Sequence, residues 1–185
     1  MINNKYLETI INSFSKIKIL ENAINKACKI CINAINRNNK IFFCGNGGSA
    51  ADSEHLAAEL IGKFLKKRKS LPSIALTANS SIITSISNDL SFDEIFSRQI
   101  DSLANPGDVL FAISTSGKSN NVINAIKIAK KKKMKIIMLT SIKSNIKDSR
   151  FIHTIKVENK RTDRIQEQHI AIGHIICEAI ENSVC

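Results

Sequence analysis

Two predicted helices carry polar side chains on faces that are otherwise apolar. His55 and Glu59 are four residues apart, so they project from the same side of one helix. Gln166 and His174 fall on one stripe of the last helix. A carboxylate and an imidazole can act together as a general base and a general acid. Taken singly, Glu59 also fits a solvated residue paired with Lys63, and His174 fits a buried histidine with satisfied hydrogen bonds.

Two strand-to-helix junctions are rich in glycine and hydroxyl side chains. The first reads CGNGGSA from Cys44 to Ala50, and the second reads AISTSGKS from Ala112 to Ser119. A helix N-terminus offers free N–H groups and a partial positive charge, so hydroxyls placed there can surround an anion. An ordinary N-cap accounts for one such residue. The second junction has four, which suits the phosphate of a sugar phosphate: Ser114, Thr115, Ser116 and Ser119.

Neither junction fits a nucleotide site. The Gly-Lys-Ser of the second junction lacks the first glycine of a P-loop, whose place is taken by Ala112. No downstream strand ends in an acidic residue that would help hold magnesium. The first junction matches a permissive dinucleotide pattern through Gly45, Gly47 and Ala50, but the next strand ends without the acidic residue that binds a ribose. We therefore expect no nucleotide cofactor, and we place Lys118 at the surface or rim.

The hydrophobic pattern divides the chain into an N-terminal helical part and a part in which strands and helices alternate. From Tyr6 to about Asn38, apolar residues recur every three or four positions, which predicts a hairpin of two amphipathic helices. Five short apolar runs follow, at 41–44, 74–76, 109–113, 136–139 and 152–157. Their alternation with helical patterns predicts a parallel sheet with helices on both faces, with ligands bound beyond the carboxyl ends of the strands. We expect one α/β domain over residues 1–185, with helices in 1–38 and the α/β core in 39–185.

The charge of the chain does not indicate a nucleic-acid partner. Lys and Arg number 27 against 16 Asp and Glu, which gives a formal net charge of +11. Aromatic residues make up 5% and are not interleaved with the basic residues, as they are on a base-stacking surface. The basic runs at 63–69 and 130–135 lie at the ends of predicted helices, where cations suit the helix dipole.

Targeting signals and a disulfide framework are not expected either. No run of 18 apolar residues occurs, and the first residues are too polar for a signal peptide. The five cysteines are an odd number, and the pair Cys28 and Cys31 lies in a helical pattern without a second pair to complete a zinc site. We therefore expect a soluble, cytoplasmic protein without a membrane partner, in which this pair is buried as small apolar residues.

Four separated stretches of the chain are diagnostic when taken in order. They are CGNGGSAADSEHLAAEL, SNDLSFDEIFSRQ, GDVLFAISTSGKSNNV and RIQEQHIAIGHIICEAIE. In order and spacing they resemble the phosphoheptose isomerases of the sugar-isomerase (SIS) domain family, from about Asn39 to Ile180. The resemblance implies a single SIS domain with a flavodoxin-like, five-stranded parallel sheet, and a homotetramer whose active sites lie between subunits. It also implies conversion of sedoheptulose 7-phosphate to D-glycero-D-manno-heptose 7-phosphate, which opens the route to the heptose of lipopolysaccharide or related surface glycans.

The resemblance also implies roles for individual residues. A ketose–aldose interconversion needs a base that takes the proton beside the carbonyl, giving an enediol, and an acid that manages protons on the oxygens. By position these are Glu59 and His174. The implied substrate contacts are Asn46, Gly47, Gly48, Ser49, Glu59, Asn88, Asp89 and Gln166, with Ser114, Thr115, Ser116 and Ser119 around the phosphate. Asp163 is either a hydroxyl acceptor or the N-cap of the last helix.

Members of the family can carry zinc, and the chain departs from the family pattern at Lys63 and in the loop 141–149, which lacks the glycines common there. The implied zinc ligands are His55, Glu59, Gln166 and His174, a set of nitrogen and oxygen donors that suits zinc tolerably. If Glu59 binds zinc it is less free to act as a base, and the sequence leaves this open. Lys63 stands where the family usually has Arg. Lysine keeps the positive charge but cannot form the two parallel hydrogen bonds that an arginine makes to a phosphate or a carboxylate.

Two other SIS classes are alternatives to an enzyme. One is the non-enzymatic homologue that binds the bacterial replication initiator, which lacks the carboxylate and imidazole equivalent to Glu59 and His174. The other is a sugar-phosphate-sensing regulator, which usually carries an added DNA-binding domain. The presence of both side chains here favours the isomerase.

Overall fold

The computed structural model describes residues 4–184 and has a five-stranded, all-parallel sheet at its centre. The strands are β1 (Ile41–Cys44), β2 (Ser73–Ala75), β3 (Val109–Ile113), β4 (Lys135–Ser141) and β5 (Ile152–Val157). Their order in the sheet is β2-β1-β3-β4-β5, which is the flavodoxin-like order. The predicted α/β architecture is confirmed.

Seven α-helices and two short 3₁₀ helices surround the described part of the sheet. The α-helices are α1 (Asn4–Ser15), α2 (Glu21–Ile35), α3 (Gly48–Ile61), α4 (Ser80–Asp89), α5 (Ser97–Leu103), α6 (Asn120–Lys131) and α7 (Thr162–Val184). The 3₁₀ helices are Lys16–Leu20 and Phe92–Glu94.

Side chains of neighbouring strand residues enter two separate cores. Phe43 and Phe111 pack with apolar residues of α2, α3 and α7 on one face of the sheet, and their rings lie 5.3 Å apart. Phe42 and Leu110 pack with α5 and α6 on the other face. Successive residues of a strand point to opposite faces, so a strand covered on both sides is apolar throughout. This explains why β1 and β3 are buried at every position.

The N-terminal helices do not form the predicted hairpin. Helical structure runs from Asn4 to Ile35 with no connecting loop, because the 3₁₀ helix Lys16–Leu20 joins α1 directly to α2. The sequence contains no glycine or proline before Gly45 to reverse the chain. The apolar period therefore predicted the helices correctly but not their connection.

The described cysteines are buried in the two cores. Cys28 and Cys31 lie in α2, and together with Cys44 and Cys177 they are free thiols. The prediction that the Cys28–Cys31 pair is buried as small apolar residues is confirmed, whereas Cys185 lies outside the described residues. None of the helices between residues 4 and 184 is long and apolar enough to cross a membrane.

Strand register brings the two glycine- and hydroxyl-rich junctions together. β1 and β3 are neighbours, and Cys44 pairs with Ala112 at their carboxyl ends. The chain reverses its direction of progress across the sheet between these two strands, and open α/β sheets bind ligands at such a point.

Candidate active site

Three side chains from two helices converge on one point. His55 and Glu59 project from α3, with 3.2 Å between His55 Nε2 and Glu59 Oε1, as their four-residue spacing predicts. His174 reaches the same point from α7, and its Nε2 lies 2.9 Å from that of His55. One ligand atom from each residue lies within 4.8 Å of the other two. The structure thus joins a carboxylate and two imidazoles across more than a hundred residues of sequence.

Gln166, the other site residue predicted on α7, packs against the first residue of α3. The amide of Gln166 packs against Gly48 so closely that a Cβ at Gly48 would lie 2.5 Å from Gln166 Nε2. The contacts Gly48–Gln166 and His55–His174 show that α3 and α7 run side by side in the same direction. Because Gln166 and His174 are eight residues apart, their backbones are separated by about 12 Å along α7. Both residues contact α3, so Gln166 lies on the same side of α7 as the cluster, with its amide at the first junction.

The surroundings of His174 favour its neutral form. Burial lowers its pKa and the neighbouring His55 lowers it further, whereas Glu59 opposes the shift. The ring of Phe64, just beyond α3, stacks on the imidazole with centroids 5.7 Å apart and an interplanar angle of 27°. A neutral imidazole has one donor and one acceptor nitrogen, so it can exchange a proton in either direction.

Asp52 is a neighbour of His55 that the sequence analysis did not single out. It lies one turn before His55 on α3, and burial raises its pKa to about 6, against the opposing effect of His55. Its Oδ2 is buried and has no hydrogen-bond partner among residues 4–184. The signal that could have identified it is the three-residue spacing to His55, which places both on one side of the helix.

The first junction is a tight turn tied to α6. Gly47 adopts a φ of 57°, which favours glycine, and it immediately precedes α3. Asn46 and Asn121 exchange a pair of side-chain hydrogen bonds, each 2.9 Å long. Ser49 is buried, and its backbone N–H donates to the carbonyl of Asn46. Asn121 was not predicted, and it fastens the turn to the helix that follows the second junction.

The hydroxyls of the second junction order the loop that begins α6. Ser114 is buried, and its Oγ accepts a hydrogen bond from Gly117 N–H at 3.1 Å and lies 3.4 Å from Ser119 Oγ. Ser116 Oγ accepts from the backbone N–H of Lys118 at 3.2 Å. Gly117 has a φ of 65°, and a Cβ there would lie 2.1 Å from Ser144 Oγ. Glycine is therefore required at position 117, because the turn has a left-handed backbone conformation there and leaves no room for a side chain. Lys118 is exposed, as predicted.

Other predicted residues are exposed in the single chain. Asn88 and Asp89 are exposed at the end of α4, where Asn88 Nδ2 donates to Asp89 Oδ1 at 2.8 Å. Asp163 is the second residue of α7 and not its N-cap, and its carboxylate is paired with Arg161, with 2.6 Å between Nη2 and Oδ2. Lys63 is exposed just after α3.

The donor atoms of the cluster fit a metal ion. Ligand atoms bound to one tetrahedral zinc at about 2.0–2.2 Å lie roughly 3.3–3.6 Å from one another. The separations of His55 Nε2 from Glu59 Oε1 and from His174 Nε2 are 3.2 and 2.9 Å, so a small displacement of these side chains would accommodate the ion. Two imidazoles and a carboxylate also form a donor set that zinc prefers.

Comparisons with known proteins show the family to which the chain belongs. A family model described as the SIS domain matches residues 5–141. A phosphoheptose isomerase from Rhodospirillum rubrum is 42% identical over 97% of this chain and 96% of its own length. One from Nitratiruptor sp. is 50% identical over 86% of each chain. The solved phosphoheptose isomerase of Neisseria gonorrhoeae has a TM-score of 0.87 and 38% identity, covering 97% of this chain and 96% of its own.

Fold, site and relatives together define an SIS-domain sugar-phosphate isomerase that acts in heptose biosynthesis. The chain belongs to the phosphoheptose isomerase family, as the four sequence motifs predicted. The enzymatic hypothesis is therefore favoured over the non-enzymatic protein that binds a replication initiator.

Proposed function

We propose that this isomerase converts sedoheptulose 7-phosphate to D-glycero-D-manno-heptose 7-phosphate, the first step towards the heptose of lipopolysaccharide or another surface glycan. The observation that carries the proposal is the meeting of Glu59 and His174 at His55, with all three ligand atoms within 4.8 Å of one another. The names of the curated relatives support a phosphorylated heptose as substrate.

In this proposal Glu59 is the base and His174 its acid/base partner. Glu59 removes a proton from the carbon beside the carbonyl, and His174 transfers a proton between the two oxygens of the resulting enediol. The lowered pKa of His174 supports this role, because a neutral imidazole can donate from one nitrogen and accept at the other. Return of the proton to the neighbouring carbon completes the exchange of ketose for aldose.

The two junctions are proposed to hold the substrate. Ser114, Thr115, Ser116 and Ser119 would bind the phosphate, since their loop leads into the N-terminus of α6. Asn46, Gly47, Gly48, Ser49 and Gln166 would contact the sugar chain. The close contact of Gln166 with Gly48 supports their acting as one surface.

His55, Glu59, Gln166 and His174 are the proposed zinc ligands. The donor set and spacing of His55, Glu59 and His174 support this, and Gln166 lies on the same side of α7. A zinc ion bound there supplies Lewis-acid polarisation of a substrate oxygen.

We further propose a homotetramer with active sites between subunits. In the single chain α4 has no buried residue, and Asn88 and Asp89 lie at its exposed C-terminal end. Leu7 and Ile11 of α1 are exposed by 48% and 67% of their surface. Such apolar exposure is typical of an interface, and a neighbouring subunit would bring Asn88 and Asp89 to the substrate. Light scattering coupled to gel filtration will give the mass of the assembly.

The test of the proposed function is incubation of purified protein with sedoheptulose 7-phosphate, with the products followed by NMR. We expect the aldoheptose phosphate to form, and a panel of shorter ketose phosphates to react more slowly. Absence of aldoheptose phosphate with a correctly folded protein would refute the proposed reaction.

A further inference from the structure

A buried ion pair joins the segment that follows α3 to helix α7, next to the candidate active site. Arg68 and Glu181 are 2.9 Å apart between Nε and Oε1, and their side chains are 2% and 1% exposed. Arg68 belongs to the basic run 63–69, which the sequence analysis interpreted as cations at a helix end. One member of that run is therefore not a surface charge.

Arg68 caps the C-terminal end of α3, the helix that carries Glu59. Helix α3 ends at Ile61, so the last carbonyls of the helix lack partners within it. The guanidinium donates to four carbonyls: those of Glu59 (2.7 Å), Leu60 (2.8 Å), Gly62 (3.2 Å) and Lys69 (3.1 Å). Arg68 therefore fixes the backbone of Glu59 itself, and its charge also suits this end of the helix dipole.

Glu181 connects the same segment to the helix that carries His174. It lies seven residues beyond His174 on α7, two turns along the same side of the helix. Its Oε2 accepts hydrogen bonds from the backbone N–H groups of Leu65 and Lys66, at 2.9 and 3.0 Å. The residue just before them is Phe64, whose ring stacks on the His174 imidazole.

We propose that the Arg68–Glu181 pair is a positioning device that sets the geometry between Glu59 and His174 and holds Phe64 against the imidazole. Arg68 touches Glu59 only at its backbone, and neither Arg68 nor Glu181 contacts a side chain of the cluster or a reacting atom, so they are positioning residues. The proposal rests on the proposed function for its kinetic consequences only. Its geometric content is independent of the substrate.

Loss of the ion pair is expected to lower turnover without weakening substrate binding. Glu181→Gln keeps the size of the side chain but removes the charge that faces Arg68. Small misplacement of catalytic groups is costly, so kcat should fall by roughly ten- to a hundredfold while KM stays within about twofold. The crystal structure of Glu181→Gln should show the Phe64 ring displaced from its 5.7 Å stacking on His174.

Asp108→Asn is the matched control for loss of a buried charge. Asp108 is 0% exposed, lies just before β3 and pairs with Lys40 at 3.2 Å between Nζ and Oδ2. Its carboxylate accepts hydrogen bonds from Asn39, Lys40 and Asn105, none of which belongs to α3 or α7. This variant should lose thermal stability as Glu181→Gln does, yet retain kcat per folded molecule. Equal loss of kcat in both variants would show that general destabilisation is the cause, and would overturn the proposal.

A second set of variants leaves the ion pair intact. Phe64→Leu removes the flat ring, whereas Phe64→Tyr keeps it. We expect kcat to fall by roughly tenfold in the first and to be retained in the second, with KM unchanged in both. Phe151→Leu is the control, because Phe151 is also partly buried but lies just before β5 and packs in the core on the other face of the sheet from α3 and α7. Retention of kcat in Phe64→Leu would contradict the role of the ring.

The crystal structures separate this inference from the proposed function. If the wild type does not convert sedoheptulose 7-phosphate, the proposed function fails, and the structure of Glu181→Gln still decides the geometric claim. Displacement of Phe64 from His174 in that variant, but not in Asp108→Asn, supports positioning by the ion pair. An unchanged ring and imidazole in Glu181→Gln would overturn it.

Discussion

Gly173 on α7 lies directly against Leu56 on α3. A Cβ at Gly173 would lie 2.6 Å from Leu56 Cδ1, so only glycine permits this approach of the two helices without displacing the leucine. Gly173 precedes His174, and Leu56 follows His55. A close contact between the two helices therefore lies beside the point where the two imidazoles meet, 2.9 Å apart.

Gly173→Ala should destabilise the protein. Leu56 is fully buried and cannot move into solvent, so the added methyl group forces the helices apart at a cost of about 1–3 kcal/mol. Thermal unfolding of both proteins measures the effect. In an unobstructed helix the same change would stabilise by up to about 1 kcal/mol. A higher unfolding temperature for Gly173→Ala would therefore contradict the close contact.

His169 should make folding stability sensitive to acid. It is fully buried, and its Nε2 lies 3.1 Å from the Thr140 carbonyl. Burial lowers its pKa to about 4, with the Thr140 carbonyl opposing the shift. Because this pKa is below that of the unfolded chain, about 6.5, the stabilisation is complete above pH ~6.5 and is lost as pH falls towards 4. The shift corresponds to about 3 kcal/mol.

Denaturant unfolding at a series of pH values tests this titration. His169→Gln supplies an amide N–H for the Thr140 carbonyl and does not titrate. We expect the free energy of unfolding of the variant to depend less on pH between 6.5 and 4 than that of the wild type. Parallel curves for the two proteins would show that His169 does not contribute.

Ser119→Ala should weaken substrate binding more than turnover. If Ser119 donates to the substrate phosphate, its loss removes a hydrogen bond to a charged group, worth about 1.5–3 kcal/mol, so KM should rise by at least about tenfold. Steady-state kinetics will measure the change. The control is Ser149→Ala, whose hydroxyl accepts from Ile152 N–H at 3.2 Å at the start of β5. An unchanged KM in Ser119→Ala would remove that residue from the phosphate site.

Removal of His55 should abolish tight zinc binding. Its Nε2 lies within 3.2 Å of both Glu59 Oε1 and His174 Nε2, so it is the shared neighbour of the other two donors. Isothermal titration with Zn²⁺ should give one ion per chain for the wild type and a greatly weakened site for His55→Ala. His153→Gln, which alters a buried histidine bonded to the Ala23 carbonyl at 2.7 Å, should bind as the wild type does. Equal affinity in His55→Ala would place the ion elsewhere.

Local sequence patterns predicted the elements of the fold but not every connection. The predicted strands at 109–113 and 152–157 coincide with β3 and β5. For β3 the reason is that a strand buried on both faces must be apolar throughout. The prediction of an N-terminal helical hairpin was wrong, because amphipathic periodicity does not distinguish two packed helices from one extended helical segment.

Site residues could be predicted from the sequence where two functional side chains recur at helical spacing. His55 with Glu59 falls in this class, and the four-motif resemblance added His174. By contrast, the Arg68–Glu181 pair joins residues 113 positions apart. Nothing in a basic run indicates which of its members is buried, and the partner of Arg68 is defined only when α3 and α7 pack together.

The roles of Glu59 and His174 are the central claim. Glu59→Gln and His174→Gln keep the size and hydrogen-bonding capacity of the side chains but remove the titrating groups. The decisive measurement is the rate of conversion of sedoheptulose 7-phosphate by each variant, compared with the wild type at equal concentrations of folded protein. We predict that each variant loses at least about a hundredfold in kcat with its fold intact. Turnover at the wild-type rate in either variant would contradict the account.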